Sequence, residues 1–162
     1  MDESGCHIAG YFSKEKELNS DNNLSCILVF PFMQRKGFGK FLITFSYELS
    51  KVEQRIGTPE RPLSDLGFAS YFSWWAGEVI RVLEESQGQH VSINDICQKT
   101  YIMDSDVIEV LEKLNLLRYR QGNRVLYANP EYLNEIKMVV VGRPGRPVHP
   151  NKLHWTPLKI VI

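Results

Sequence analysis

The stretch LVFPFMQRKGFGKFLITF, residues 28–45, constrains the chain more than any other, because it joins two incompatible hydrophobic patterns through a glycine-bearing basic loop. Before it, LSCILVF at 24–30 is a short apolar run rich in β-formers and closed by Pro31, the pattern of a strand buried on both faces. After it, apolar residues fall at Phe38, Leu42, Phe45, Leu49 and Val52, in steps of four, three, four and three, which marks one face of a helix. A loop in that position ends at a helix N-terminus, where backbone N–H groups lack intrahelical partners and the dipole is positive. Glycines at Gly37 and Gly39 let an oxyanion approach the backbone, and Arg35, Lys36 and Lys40 add positive charge. The stretch therefore predicts a site for a ligand bearing several phosphates. A glycine-rich helix start with solvated basic residues is the plainer alternative.

Around this junction the punctuation is clear. Residues 7–13 (HIAGYFS) alternate loosely and run into Asn- and Asp-rich turn chemistry at 19–23, so strands at 7–13 and 24–30 are expected to form a hairpin. The segment GTPERPLSDLG at 57–67 is too rich in Pro and Gly to continue the first helix, and reads as a structured loop. A second helix is expected over 73–85, with Trp75, Val79, Val82 and Leu83 on its apolar side, and residues 87–89 break it. Short helices at 92–100 and 105–116 follow, the latter with Asp104 and Asp106 at its N-terminus, then a hairpin of 117–120 with 124–127 across Gln121, Gly122 and Asn123. Helix, helix, hairpin is a winged-helix order. The proline-rich run GRPGRPVHPNK at 142–152 reads as an irregular strap, with 153–162 docking back as an extended tail.

Composition narrows the function classes. The 162 residues are 43% hydrophobic and 23% charged, ordinary values for a globular protein. Lys and Arg number 19 against 19 Asp and Glu, so no global field favours nucleic acid or an anionic membrane, and electrostatic recognition must be local. Three widely spaced cysteines, Cys6, Cys26 and Cys97, argue against a disulfide framework and for a reducing compartment. His7, His90, His149 and His154 are too scattered for a zinc site, so no metal is expected. Neither a signal peptide nor a membrane span is expected.

The order Gln34, Arg35, Lys36, Gly37, Phe38, Gly39, Lys40 resembles the acetyl-CoA loop of the GNAT-like acetyltransferases. Its continuation FLITFSYELSK followed by GTPERPLSDLG is narrower, and with GCHIAGYFSKEK upstream and LHWTP downstream it resembles the MYST-type histone acetyltransferases. The resemblance runs from residue 5 to about 157 and is strongest over 5–67. It implies an α/β (α+β) fold: an acyl-CoA N-acyltransferase-like (GNAT-like) partial core at 1–87, followed by a winged-helix-like C-terminal lobe and tail at 88–162. It also implies acetyl-CoA as co-substrate, a histone tail or other lysine-bearing protein as acceptor, a chromatin-modifying complex as setting, and the nucleus as location. An N-terminal half with a zinc-binding module, further strands and an active-site lysine belongs to the family pattern and is not in this chain, so an uncovered sheet edge or face is expected.

Acetyl transfer to lysine is aminolysis of a thioester, and an unperturbed lysine is only about 0.1% neutral near neutral pH, so a base offsets roughly 4 kcal/mol. Glu60, in TPERP with prolines restricting the backbone on both sides, is the candidate base and coincides with the position the resemblance assigns to it. A solvated loop carboxylate or a partner for Arg61 is the structural alternative. Cys26 matches a family cysteine near the acetyl group, either as a nucleophile forming an acetyl-enzyme or as a small apolar wall. Direct attack in a ternary complex is the preferred reading, since no activating partner for Cys26 can be read from the sequence. Backbone N–H groups around 26–28 are candidate oxyanion donors. By resemblance Ile27, Leu28 and Val29 contact the acetyl and pantetheine arm, and Ser64 and Ser73 contact the cofactor farther along; a helix cap or turn residue is the structural alternative for either serine, and the commoner fate of serine beside Asp or at a helix start. Phe72, in SYFSWW, stands where the family typically has arginine.

Two rival readings belong to other classes. One is a winged helix at 88–140 that binds DNA or docks on protein, with Arg118, Arg120 and Arg124 beside its wing turn. Asp104, Asp106, Glu109 and Glu112 on its recognition helix would repel DNA. The other is a remnant that binds cofactor without turnover.

Overall fold

A computed structural model of the chain describes residues 3–16, 20–86, 88–120, 123–142 and 145–157, with backbone only at 119–120 and 123–124. The architecture is mixed α/β. Strand β1 (Gly10–Phe12) pairs antiparallel with β3 (Ile27–Val29), placing Tyr11 opposite Leu28. Between them β2 (Asn22–Leu24) leaves the hairpin and pairs in parallel with β4 (Thr58–Pro59). The apolar run at 24–30 is thus two strands with a bend at Ser25 and Cys26, not one strand buried on both faces. Cys26 is exposed and Leu28 is 41% exposed, because β1 and β3 have helix α1 (Phe38–Glu53) against one face only among the described residues.

Helix α1 buries two sides. Phe45 meets Phe12 of the ribbon with ring centroids 6.0 Å apart, which is the side the aromatic spacing marks. Its deepest face is instead Ile43, Ser46, Tyr47 and Ser50, turned to helix α2 (Asp65–Glu85). Serines are tolerated there because each hydroxyl donates back into the helix: Ser46 to the Ile43 carbonyl at 2.8 Å and Ser50 to the Ser46 carbonyl at 3.2 Å. Small residues also let α2 approach, and Trp75 Nε1–H donates to the Tyr47 hydroxyl at 2.8 Å between two fully buried rings.

Helix α2 starts well before the expected 73, since Ser64 caps it by accepting from the Gly67 amide at 3.1 Å and Asp65 stands in the first turn. Gly67, the last residue of the stretch read as a structured loop, sits in that first turn. The helix buries Trp75, Val79, Val82 and Leu83 as the spacing predicts.

The C-terminal elements are α3 (Ile93–Thr100), closed by a Ser92–Asp95 capping box, α4 (Asp104–Lys113), and an antiparallel pair β5 (Leu117–Arg120) and β6 (Asn123–Leu126). The turn residues Gln121 and Gly122 lie outside the described residues. A helix absent from the sequence reading, α5 (Pro130–Val140), follows. Its signal is present: Asn129 caps it, Pro130 takes the first position, and Leu133, Ile136 and Val140 keep helical spacing. Side chains from α1 through α5 join one buried cluster, with α2 touching every other helix, so the core crosses residue 87 without a gap. The strap folds back to the start of α1, with a short 3-10 turn at Pro150–Lys152; the end of the expected tail, 158–162, lies outside the described residues. Among the described residues no helix is long and apolar enough to cross a membrane.

Candidate functional site

Beside the start of α1 lies a cleft of about 1010 Å³, bounded by β3, the loop 34–40, the first turns of α2 and the strap. Its apolar wall comes from the strand. Hydrogen bonds at the Phe30–Ala9 and Ser13–Cys26 pairs flank the ribbon, so in the alternating antiparallel pattern Tyr11 and Leu28 form the bonded pair between them. Ile27 and Val29 therefore turn their amide and carbonyl groups to the other edge of β3, along the cleft. Leu28 offers its side chain there, its backbone being taken by Tyr11. The Cys26 amide donates to Ser13 Oγ at 3.1 Å and the Leu28 amide pairs with Tyr11, so of the amides at 26–28 it is that of Ile27 which turns away from β1.

The basic end is built by the loop. Arg35 and Gly37 both adopt left-handed backbone, at φ 58° and 85°, and Gly37 is the cap residue of α1 without a side-chain acceptor. The first helical bond from this turn runs from the Phe41 amide to the Gly37 carbonyl, so the Phe38 and Gly39 amides have no intrahelical acceptor. Gln34 Nε2 donates to the Val29 carbonyl at 3.1 Å and locks the loop to the strand. Arg35 and Lys36 are exposed at the rim. Lys40 differs: its ammonium donates to the Val141 carbonyl at the end of α5, and burial pulls its pKa down.

A fourth cation, which the sequence reading missed, comes from the strap. Arg146 stacks over Phe38, with the guanidinium carbon 4.4 Å from the ring centroid, and its Nε–H donates to the Lys36 carbonyl at 3.3 Å. The strap can come this close only because residue 145 is glycine: a Cβ there would stand 2.7 Å from Lys40 Cβ. The repeated Arg-Pro and Pro-Gly of GRPGRP were the available signal, but nothing local indicates which part of the chain they meet.

Gln34, Arg35, Lys36, Gly37, Gly39, Lys40, Ser64 and Ser73 line this cleft with Ile27, Leu28 and Val29, while Phe38 is turned under Arg146. The two serines carry structural bonds: Ser64 caps α2, and Ser73 Oγ–H lies 2.8 Å from the Val140 carbonyl and 3.0 Å from that of Val141. Phe72 stacks on Phe68 with centroids 5.8 Å apart, so in this chain that position packs instead of presenting a cation.

Glu60 and Cys26 stand outside the cleft lining, on the β2–β4 side. The Glu60 amide donates to the Leu24 carbonyl at 2.8 Å, which sets its backbone two residues from Cys26, and its side chain is exposed. Arg61 does not pair with Glu60; its Nη2 reaches Asp106 Oδ1 at 2.7 Å and Glu109 Oε2 at 3.3 Å. On the C-terminal hairpin Arg118 lies over the Tyr127 ring at 4.0 Å, and the side chains of Arg120 and Arg124 lie outside the described residues.

The family model described as MOZ/SAS family matches residues 1–153. Over 158 residues, 98% of this chain, it is 48% identical to a "Histone acetyltransferase of the MYST family 2" from Arabidopsis thaliana, of which that alignment covers 35%. It is 42% identical over 156 residues to "Histone acetyltransferase ESA1" from Saccharomyces cerevisiae, covering 96% of this chain and 35% of that one. It is 42% identical over 161 residues to a "Histone acetyltransferase Tip60 homolog" from Caenorhabditis elegans, again covering 96% and 35%. The chain spans about a third of the length of these relatives. By its glycine loop and by matches along nearly its whole length, the chain belongs to the MOZ/SAS family.

Proposed function

We propose that the chain forms the acetyl-CoA-binding part of a MYST-type lysine acetyltransferase centre, with a histone tail as acceptor and a nuclear chromatin-modifying complex as its setting. The observation that carries the reading is the cleft, which joins the outward backbone edge of β3 to a left-handed glycine loop at a helix N-terminus rimmed by Arg35, Lys36 and Arg146. An apolar arm with one amide-bonding edge and a polyphosphate end is what such a cleft suits. In fold terms, residues 1–87 are read as a GNAT-like partial core and 88–162 as a winged-helix-like lobe, sharing α2.

On this reading the Glu60 carboxylate takes a proton from the acceptor lysine, and the neutral amine attacks the thioester carbonyl carbon. The developing oxyanion is met by Ile27 N–H. The C–S bond then breaks, and the released thiolate is protonated as the amide forms. Cys26, whose amide is bound to Ser13 Oγ, serves as wall beside the acetyl group. DNA binding through the C-terminal lobe is disfavoured by the carboxylates of α4 and by the stacking of Arg118 on Tyr127.

Calorimetric titration of acetyl-CoA into the chain tests the cleft: binding that weakens about tenfold or more in Arg35→Ala/Lys36→Ala supports it, on the scale of charge-assisted phosphate contacts. In the full-length protein, Glu60→Gln should lower kcat by about 100-fold or more with acetyl-CoA affinity intact. Wild-type turnover by Glu60→Gln across the pH range would remove Glu60 as base.

A further inference from the structure

The segment carrying Glu60 is held from both sides by the C-terminal helices. Before it, the Gly57 amide donates to the Tyr101 carbonyl at 3.0 Å and the Met103 amide donates to the Gly57 carbonyl at 3.2 Å, tying the loop to the α3–α4 junction. After it, Arg61 reaches the first two turns of α4, to Asp106 at 2.7 Å and Glu109 at 3.3 Å. Asp106 is fully buried at 0% exposure, whereas Arg61 is 47% exposed. Asp106 Oδ2 and Thr58 Oγ1 are both enclosed, and burial raises the Asp106 pKa against the opposing pull of the Thr58 hydroxyl and of Arg61.

This is an unfavourable way to gain stability. A carboxylate taken wholly out of water, whose charged partner Arg61 is half in solvent and shared with Glu109, is poorly compensated, and an apolar pair would fill the same space at less cost. What the pair supplies is position. A guanidinium bonded through Nη2 to a fully buried carboxylate anchors residue 61, and the Leu24 carbonyl fixes the amide of residue 60. The Glu60 side chain emerges between these two anchors.

We propose that Asp106 is a positioning residue for Glu60, acting through Arg61, so that helix α4 sets where the carboxylate stands. The inference rests on the reading of Glu60 as base. It makes the C-terminal lobe part of the catalytic apparatus, although no residue of α4 lines the cleft.

The test replaces the pair as a whole, Arg61→Met/Asp106→Leu, which leaves no buried charge. Hydrogen exchange on the chain should show the Glu60 amide opening about tenfold faster while amides in the middle of α2 are unchanged. In the full-length protein kcat should fall about tenfold or more with KM for acetyl-CoA within about twofold, and the same pair placed in Glu60→Gln should lower kcat no further. A second variant, Asp106→Asn, keeps an acceptor for Arg61 and guards against a folding failure of the first; it should give the same pattern at about threefold. An unchanged Glu60 amide and unchanged kcat in the folded variants, with Glu60→Gln inactive, overturn the positioning role and leave the base reading standing. An additive loss in the Glu60→Gln background also overturns it, because a structural pair would act without Glu60. If Glu60→Gln is itself fully active, the base reading fails and the positioning role fails with it.

Discussion

Ser73→Ala separates two roles for one hydroxyl. The family resemblance assigns Ser73 to the cofactor, yet its Oγ–H lies against the Val140 and Val141 carbonyls at 2.8 and 3.0 Å, at the end of α5. Those carbonyls are orphans of the last helical turn. Val141 O also accepts from Lys40, so alanine would leave Val140 O as the group that loses a partner. One neutral, half-buried hydrogen bond contributes about 1 kcal/mol net. For a chain of this length that is a fall in Tm of about 2–4 °C, or about 0.5 M in the urea midpoint. The expected result is this loss of stability together with an acetyl-CoA affinity changed by less than about threefold, measured by urea unfolding and calorimetric titration of the same preparation. An affinity loss of about tenfold with an unmoved midpoint would refute the reasoning, since it would mean that the hydroxyl serves the ligand and not the helix end.

Two further outcomes follow from burial. Tyr47→Phe deletes the acceptor of the fully buried Trp75 Nε1–H and should cost about 1–3 kcal/mol, whereas Tyr71→Phe removes an enclosed hydroxyl beside Ser46, whose own hydroxyl already donates to the Ile43 carbonyl, and should cost less; equal losses in thermal unfolding would contradict this. Cys6 and Cys26 are exposed and Cys97 is buried, so a disulfide reagent at pH about 8 should titrate the first two in the native chain and the third only after unfolding. Burial pushes the Cys97 thiol up to about 11, above its ordinary value, so its neutral form supports the fold fully below the ordinary thiol pKa, and that contribution disappears as pH rises through about 11. Cys97→Ala should flatten that alkaline loss of stability; an unaltered alkaline limb in the variant would count against the assignment.

Local signals were legible wherever a short window carried the cause. The α1 start, the helix expected at 92–100 and the apolar face of α2 all follow from spacing within a few residues. At 64 a cap stands as an alternative while the helix is still expected only from 73, and at 129–130 the signal goes unused; Ser64 and Asn129 cap helices that begin earlier than, or outside, the predicted ones. The strand at 24–30 failed for a different reason. Its composition suits burial on both faces, but β2 leaves the hairpin to pair with β4, and one face of β3 has no helix over it among the described residues. Burial of a strand depends on its neighbours, which a run of apolar letters does not specify.

By itself the sequence determined the junction at the centre of the site: an apolar strand, a basic loop with two glycines, and an amphipathic helix, all within reach of one local pattern. The family resemblance carried by its motifs also singled out Glu60 as the carboxylate to test. Only the tertiary structure decided that Arg146 comes back over Phe38, that Lys40 and Ser73 converge on the end of α5, and that Arg61 is anchored by Asp106 and not by Glu60. Those partners lie far apart along the chain, and their meeting depends on how closely helices pack. That distance is set at Gly145 by the absence of a side chain and at Asp106 by enclosure in the core, and neither can be read from a window around the residue.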